Sequence, residues 1–202
     1  MRIEIKRAEV LATSLRPELS RIDPAYNQRF RRLQGEHFRL LKRISLLVRK
    51  KRFLDLGTKA GASAICLGAN PLNRVLSLDI TDAPRIANPF NWEAYPNVTF
   101  QLTDAADLPP AFYNEFQVVL VDINANGPTE RKVFDNILRS DFSGLVIFDD
   151  ITYRRFPGLC EFWQSITFPK TIVPYAHHSG TGLVPIGMEL IVDGEDLSTE
   201  RK

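Results

Sequence analysis

Five short apolar runs, each carrying an aspartate at or just beyond its C-terminal end, recur along the chain and limit what it can fold into. They cover residues 53–56, 74–80, 98–102, 116–121 and 144–148, and the acids are Asp55, Asp79, Asp104, Asp122 and Asp149. Successive acids stand 24, 25, 18 and 27 residues apart, room for one strand and one helix or a shortened unit. Residues 62–69 and 128–140 between them are helical in composition. Near-continuous apolar strands alternating with helices predict a parallel sheet buried on both faces. Right-handed crossovers then bring every strand's C-terminal end to one edge. All five acids gather there, where open α/β sheets bind their ligands. The expected fold is α/β: a Rossmann-like, doubly wound, mostly parallel seven-stranded sheet with helices on both faces. Residues 171–175 and 188–192 are expected to complete the sheet as a hairpin-like pair.

A leader precedes this pattern. Residues 3–16 read as a first helix or an extended arm. Asp23-Pro24 is a helix start signal, an N-cap acceptor followed by a residue whose missing N–H costs nothing at the first helical position. A short helix to Leu33 follows, and Gly35 interrupts it. From Glu36, the residues Phe38, Leu40, Leu41, Ile44, Leu47 and Val48 fall at helical spacing, closed by Lys50, Lys51 and Arg52. The expected organisation is therefore a helical extension over 1–50, a ligand-binding domain over 51–193 and a frayed tail over 194–202. At 202 residues, 44% hydrophobic and 25% charged, the chain suits one packed domain rather than a disordered one. No apolar run reaches the ~18–20 residues that span a bilayer, the first ten residues lack a signal-peptide core, and Cys66 and Cys160 are too few for a disulfide framework. The expected location is cytoplasmic.

Charge is divided unevenly. Residues 1–52 hold 15 Lys and Arg against 5 Asp and Glu, a balance of +10, and the remainder is −8. A solvated helical face complementing an acidic body accounts for this, with a surface for an anionic partner as the other reading. Nucleic acid is not the expected partner. The leader is read instead as a wall of an acceptor pocket or as a homodimer contact.

The strongest local signal is the turn at residues 55–63, Asp-Leu-Gly-Thr-Lys-Ala-Gly-Ala-Ser. Gly57 permits a sharp exit from the strand, and Gly61 lets the next helix approach ligand and sheet. Lys59 occupies the place of a second glycine in a dinucleotide fingerprint, and no Gly-Lys-Ser/Thr ending makes it a phosphate loop. Asp79, at the end of the next strand, is placed to accept from ribose hydroxyls. Asp104 is placed to accept from an adenine amino group, or serves only to form its own turn. Asp149-Asp150 reads as an acid pair at the substrate edge, or as a strand-end turn with Asp150 as a cap. His177 and His178 precede Ser-Gly-Thr-Gly; His178 is the expected general base, with a surface loop as the alternative. His37 is expected to be a half-exposed helix residue rather than a ligand. Phe90 and Trp92 read as core caps, with stacking on a base as the alternative, and Phe162 and Trp163 read as packing residues. No cysteine–histidine cluster has zinc spacing, and no nucleophile elbow suggests hydrolase chemistry.

Taken in order, residues 55–63, 75–80, 103–109, 118–123 and 144–151 resemble the motifs of class I S-adenosylmethionine-dependent methyltransferases, and residues 162–184 resemble a C-terminal signature of their small-molecule O-methyltransferase-like group. The similarity spans roughly residues 35–187. It implies that Asp55, Gly57, Thr58, Gly61 and Ser63 lie near the methionine end of S-adenosylmethionine. Asp79 and Ile80 would flank the ribose, Asp104 and Ala105 the adenine, and Asp122 the methyl donor. It implies methyl transfer to a small hydroxylated acceptor, a sugar or phenol, with Asp122, His178 and Asp149 as catalytic groups. In relatives that use Mg²⁺, the metal is bound at positions equivalent to Asp122, Asp149 and Asp150. The loop Ile123-Asn124-Ala125-Asn126-Gly127 departs from the group's pattern, which leaves metal dependence open. Two rival readings remain: an NAD(P)-binding oxidoreductase, against which Lys59 speaks, and a non-catalytic Rossmann-like module whose basic leader meets an anionic partner.

Overall fold

The structure, a computed structural model, describes residues 1–19, 35–59, 61–81, 92–175 and 178–200. The helix start at Asp23-Pro24 with the helix to Leu33, and the expectations for Phe90 and His177, lie outside those residues.

Seven strands form the main sheet: β2 (Arg52–Leu56), β3 (Arg74–Asp79), β4 (Val98–Leu102), β5 (Val118–Val121), β6 (Gly144–Phe148), β7 (Thr171–Val173) and β8 (Thr181–Ile186). Their order is β4-β3-β2-β5-β6-β8-β7, with β8 antiparallel to both its neighbours and the other pairings parallel. Side chains alternate between the two faces, as the pleat requires. Phe53, Val118, Leu120, Leu145 and Ile147 point into one core with Leu40, Leu41 and Ile44 of α3 (Gly35–Leu47) and Ile65 of α4 (Ala62–Leu67). Leu54, Leu56, Val119, Val121, Val146 and Phe148 point into the other. That core holds Val133, Phe134 and Ile137 of α5 (Pro128–Arg139) and Phe162 and Trp163 of α6 (Pro157–Ser165). Burial on both faces explains why these strands read as continuous apolar runs.

Helix starts follow local chemistry. α5 begins at Pro128, and Glu130 reaches back to accept from the backbone N–H groups of Ala125 and Gly127, both at 2.7 Å. This is a capping box without a side chain at the N-cap. Pro157 opens α6 in the same favoured position. No helix among the described residues is long and apolar enough to cross a membrane.

The two ends of the chain depart from expectation. β9 (Glu189–Val192) does not complete the main sheet. It pairs in parallel with β1 (Arg2–Ile5) and antiparallel with β10 (Glu195–Asp196), making a separate three-stranded sheet. The seventh strand of the main sheet is instead β8, which takes in Thr181 and Gly182 from the segment expected as a loop. Packing decides this: every residue of β8 is buried, and a side chain at Gly182 would meet the Trp163 ring at 2.5 Å. The extension is thus not purely helical, since β1 precedes α1 (Arg7–Ala12) and α2 (Arg16–Leu19). The tail expected to fray pairs through β10, and Leu197 is buried.

Gly144 opens β6 where its Cα lies against the neighbouring strand entry. A Cβ there would fall 2.1 Å from the carbonyl oxygen of Gln117 and 2.7 Å from its carbon, both backbone atoms that cannot swing away. Gly144→Ala should cost about 2–3 kcal/mol, read as a lower urea midpoint at unchanged slope.

Asp55 faces inward from β2 and is completely buried. The Ser77 hydroxyl on β3 donates to its Oδ2 at 2.7 Å, while Oδ1 has no hydrogen-bond partner among the described residues. Burial raises the carboxyl above its usual range, opposed by the hydroxyls of Ser77, Ser63 and Thr58. The unfolded chain titrates near ~3.9, so the folded state holds this proton to higher pH and loses stability as pH rises through the raised value. In ligand-free protein, Asp55→Asn should therefore gain thermal stability relative to wild type as pH rises through that window. Below about pH 3, where both states are protonated, the two profiles should run parallel. Profiles parallel across the whole range would contradict a raised Asp55.

Candidate functional site

The sheet reverses its order between β2 and β5, the position where open α/β folds bind ligands beyond the strand ends. A cleft of about 490 Å³ opens there, within the range of small-molecule sites. Its geometry begins at Gly57. With φ of 88°, this residue turns the chain out of β2, and its N–H donates to the Leu78 carbonyl on β3 at 2.9 Å. The turn also crosses the exit of β5 so closely that a Cβ on Gly57 would sit 1.7 Å from the Asp122 carbonyl oxygen. Only glycine allows that crossing.

Lys59 follows in the left-handed region, φ 51°, and its N–H donates to Asp79 Oδ2 at 2.7 Å. The other Asp79 oxygen accepts from the N–H and the hydroxyl of Thr81, each at 2.9 Å. Asp79 thus ties the glycine turn to the end of β3 while lining the cleft. Asp104 also lines it, and its Oδ1 accepts from Ala106 N–H at 2.8 Å, so the turn-forming role is realised by one of its oxygens. Thr58, Ser63, Ile80 and Ala105 stand in the wall as well. Ile80, 60% exposed, leaves an apolar flank open to a ligand.

Two expected ligand contacts are displaced. Asp55 is not in the wall but beneath it, because its side chain points into the core on the same side as Phe53. Gly61 shapes the turn from behind, its N–H donating to Thr58 O at 2.7 Å, and it too is absent from the wall.

The other end of the cleft is acidic. Carboxylate oxygens of Asp122, Asp149 and Asp150 lie within 4.8 Å of one another. Asp122 opens onto the cleft yet is ringed by protein. Burial first, then the charges of Asp149, Asp150 and Asp55, pushes its carboxyl well above the usual range, with Lys59 opposing. Asp150 adopts φ of 59° and accepts from the Ser179 hydroxyl. Asp149 is 6% exposed; the Thr181 hydroxyl donates to its Oδ1 at 3.2 Å.

The histidines exchange their expected places. His178 is exposed, packs edge-on to Tyr153 with ring centroids 6.0 Å apart, and is not part of the cleft wall. His37, expected half-exposed on the leader helix, is 2% exposed and lines the cleft, with Nδ1 2.9 Å from Thr181 Oγ1 and 3.5 Å from Asp149 Oδ1. A signal for it existed. His37 stands three, four and seven residues before Leu40, Leu41 and Ile44, on the stripe that α3 buries. Phe38, Asn124 and Phe156 also join the wall without having been singled out.

No protein-family model and no curated protein matches the chain. Solved structures do. The cofactor-bound protein Rv0187 from MTB matches with TM-score 0.60 at 15% identity over 88% of each chain. A methyltransferase from Geobacter sulfurreducens matches with TM-score 0.59 at 18% identity, over 81% of this chain and 88% of that one. The N-methyltransferase NodS from Bradyrhizobium japonicum, solved with S-adenosyl-L-homocysteine, matches with TM-score 0.55 at 20% identity, over 87% and 96%. Sheet order, switch-point cleft and these matches agree: the chain has a Rossmann-like fold, shared with solved methyltransferase structures.

Proposed function

We propose that this chain transfers a methyl group from S-adenosylmethionine to a hydroxyl of a small acceptor of the sugar or phenol type. The observation that carries this reading is a single cleft with a strand-end acid beside a glycine turn at one end and three carboxylates at the other. Asp79 would accept from the ribose hydroxyls, and Asp104 with Ala105 would meet the adenine, flanked by Ile80. Thr58, in the turn before α4, and Ser63, in the first turn of α4, would hold the methionine end. Lys59 in place of a second glycine speaks against a dinucleotide.

Methyl transfer from a sulfonium asks mainly for alignment and for loss of the acceptor proton. Holding both reactants in one cleft supplies alignment. Asp122 lies where the two ends meet, and a carboxyl lifted from its usual range is a stronger base than a free one. Asp149 and Asp150 beside it would orient the acceptor hydroxyl. His178, exposed on Tyr153, has no part in this reading.

The donor set at the acidic end, oxygen only and net negative, fits a hard divalent cation such as Mg²⁺. The charges of Asp149 and Asp150, which add to burial in raising the proton affinity of Asp122, also make a bound cation favourable. When bound, such a cation would supply charge that lowers the pKa of the acceptor hydroxyl.

Calorimetric titration with S-adenosylhomocysteine tests the cofactor. Wild-type protein should bind it, and Asp79→Ala should weaken binding about 10- to 100-fold, the worth of hydrogen bonds to a charged group. Circular dichroism would show the variant folded. Folded wild-type protein that ignores the ligand at high micromolar concentration would sink the proposal.

A further inference from the structure

His37 comes from α3, outside the strands and loops that build the cofactor end, yet it reaches the acidic end of the cleft. The hydrogens in its contacts can be assigned by counting. Thr181 has one hydroxyl hydrogen, and it points to Asp149 Oδ1 at 3.2 Å. The Thr181 hydroxyl oxygen, its one hydrogen so used, then accepts from His37 Nδ1 at 2.9 Å, so Nδ1 carries a hydrogen. With Asp149 ionised and accepting, the chain runs His37 Nδ1–H to Thr181 Oγ1 and Thr181 Oγ1–H to Asp149 Oδ1. Nδ1 also stands 3.5 Å from Asp149 Oδ1, close enough to stabilise its charge.

Each member of this chain is buried and packed. The His37 ring packs edge-on to Phe38, with centroids 5.4 Å apart and planes at 72°. Thr181 is fully buried in β8, between β6 and β7. α3 is anchored by Lys42, whose ammonium reaches both oxygens of the buried Glu18 at 2.7 Å. Asp149 therefore receives its hydrogen bond from a packed support. Losing it would remove one hydrogen bond that opposes the repulsion from Asp122 and Asp150.

We propose that His37 is a positioning residue for the cation site: through Thr181 it holds the Asp149 carboxylate in the orientation that lets it share a divalent cation with Asp122 and Asp150. This rests on the cation reading given above. It assigns to the N-terminal leader a direct part in the acidic end of the cleft. Outer partners of this kind change metal affinity about 10- to 100-fold when removed.

The test measures Mn²⁺ binding by electron paramagnetic resonance and S-adenosylhomocysteine binding by calorimetry, on full-length protein. His37→Leu and Thr181→Val should each weaken Mn²⁺ binding about 10- to 100-fold while leaving S-adenosylhomocysteine affinity unchanged. The double variant should be no worse than the weaker single one, because the two groups act in series. His37→Asn should bind Mn²⁺ close to wild type, since its amide sits the same number of bonds from Cα as Nδ1. His37→Gln places its amide one bond too far and should not rescue. Wild-type Mn²⁺ affinity in His37→Leu would overturn the positioning role, as would a parallel loss of both ligands. Wild-type protein that binds S-adenosylhomocysteine but not Mn²⁺ would overturn the cation reading itself.

Discussion

The crossing of the Gly57 turn over the Asp122 carbonyl governs the rest of the cleft. Two parallel strands lie side by side there, and their chains leave in opposite directions, β2 toward α4 and β5 toward α5. The contact leaves no room for a side chain, so the two exits meet at backbone distance. Everything that could touch a ligand is then measured from that point. The residues after β2 and β3 stand on one side, and those after β5 and β6 on the other. The strand order reverses across it, which is why a crevice exists at all.

Five acids occupy equivalent places in the sequence, yet the fold treats them differently. Asp55 lies one residue before the end of β2, so the pleat turns it inward among hydroxyls. Asp79 ends its strand and is satisfied by the N–H groups of Lys59 and Thr81. Asp104 lies just beyond its strand, capping a short 3-10 helix. Asp122 and Asp149 come directly after their strands, which stand adjacent in the sheet, and with Asp150 they crowd together. Collecting like charges in one place costs free energy unless a cation or protons offset it. At Asp122, burial first and then the neighbouring carboxylates raise the proton affinity. The acidic end is thus chemically unfinished in a way that the Asp79 end is not.

The pattern of apolar runs located the strands of the parallel sheet closely. The observed β4 and β6 match the expected 98–102 and 144–148, because these segments are buried from both sides and carry their own signature. Legibility failed where packing overrode composition. β8 contains glycine and proline, residues that normally end strands, and the Trp163 ring and Ile151 beside Gly182 explain the glycine. The strand at 189–192 was read correctly as a strand but assigned to the wrong sheet. Its true partner is β1, more than 180 residues away in sequence, and no local pattern encodes that pairing. His37 was legible by spacing alone. It was set aside because a single polar residue on a helix is more often exposed than buried. His178 drew attention through its neighbours Ser-Gly-Thr-Gly, of which Thr181 and Gly182 in fact belong to β8.

The leader, set apart in the sequence by its basic charge, is not an appendage to the sheet. Ile3, Ile5 and Val10 are buried in the same core as Phe53 and Val118. Part of its positive charge is matched at short range, Lys42 by Glu18 and Arg43 by Glu9 within the leader, and Arg52 by Glu115 from the body. The Lys42 pair is desolvated, so it demands a fixed geometry in return for its burial. That fixed geometry brings α3 against the sheet in one register and His37 to Thr181. The cofactor end of the cleft is made by strand exits, which every sheet of this topology possesses. The acidic end takes its shape also from the leader, through His37. A fold so divided can keep one half of its cleft while the leader changes what the other half receives.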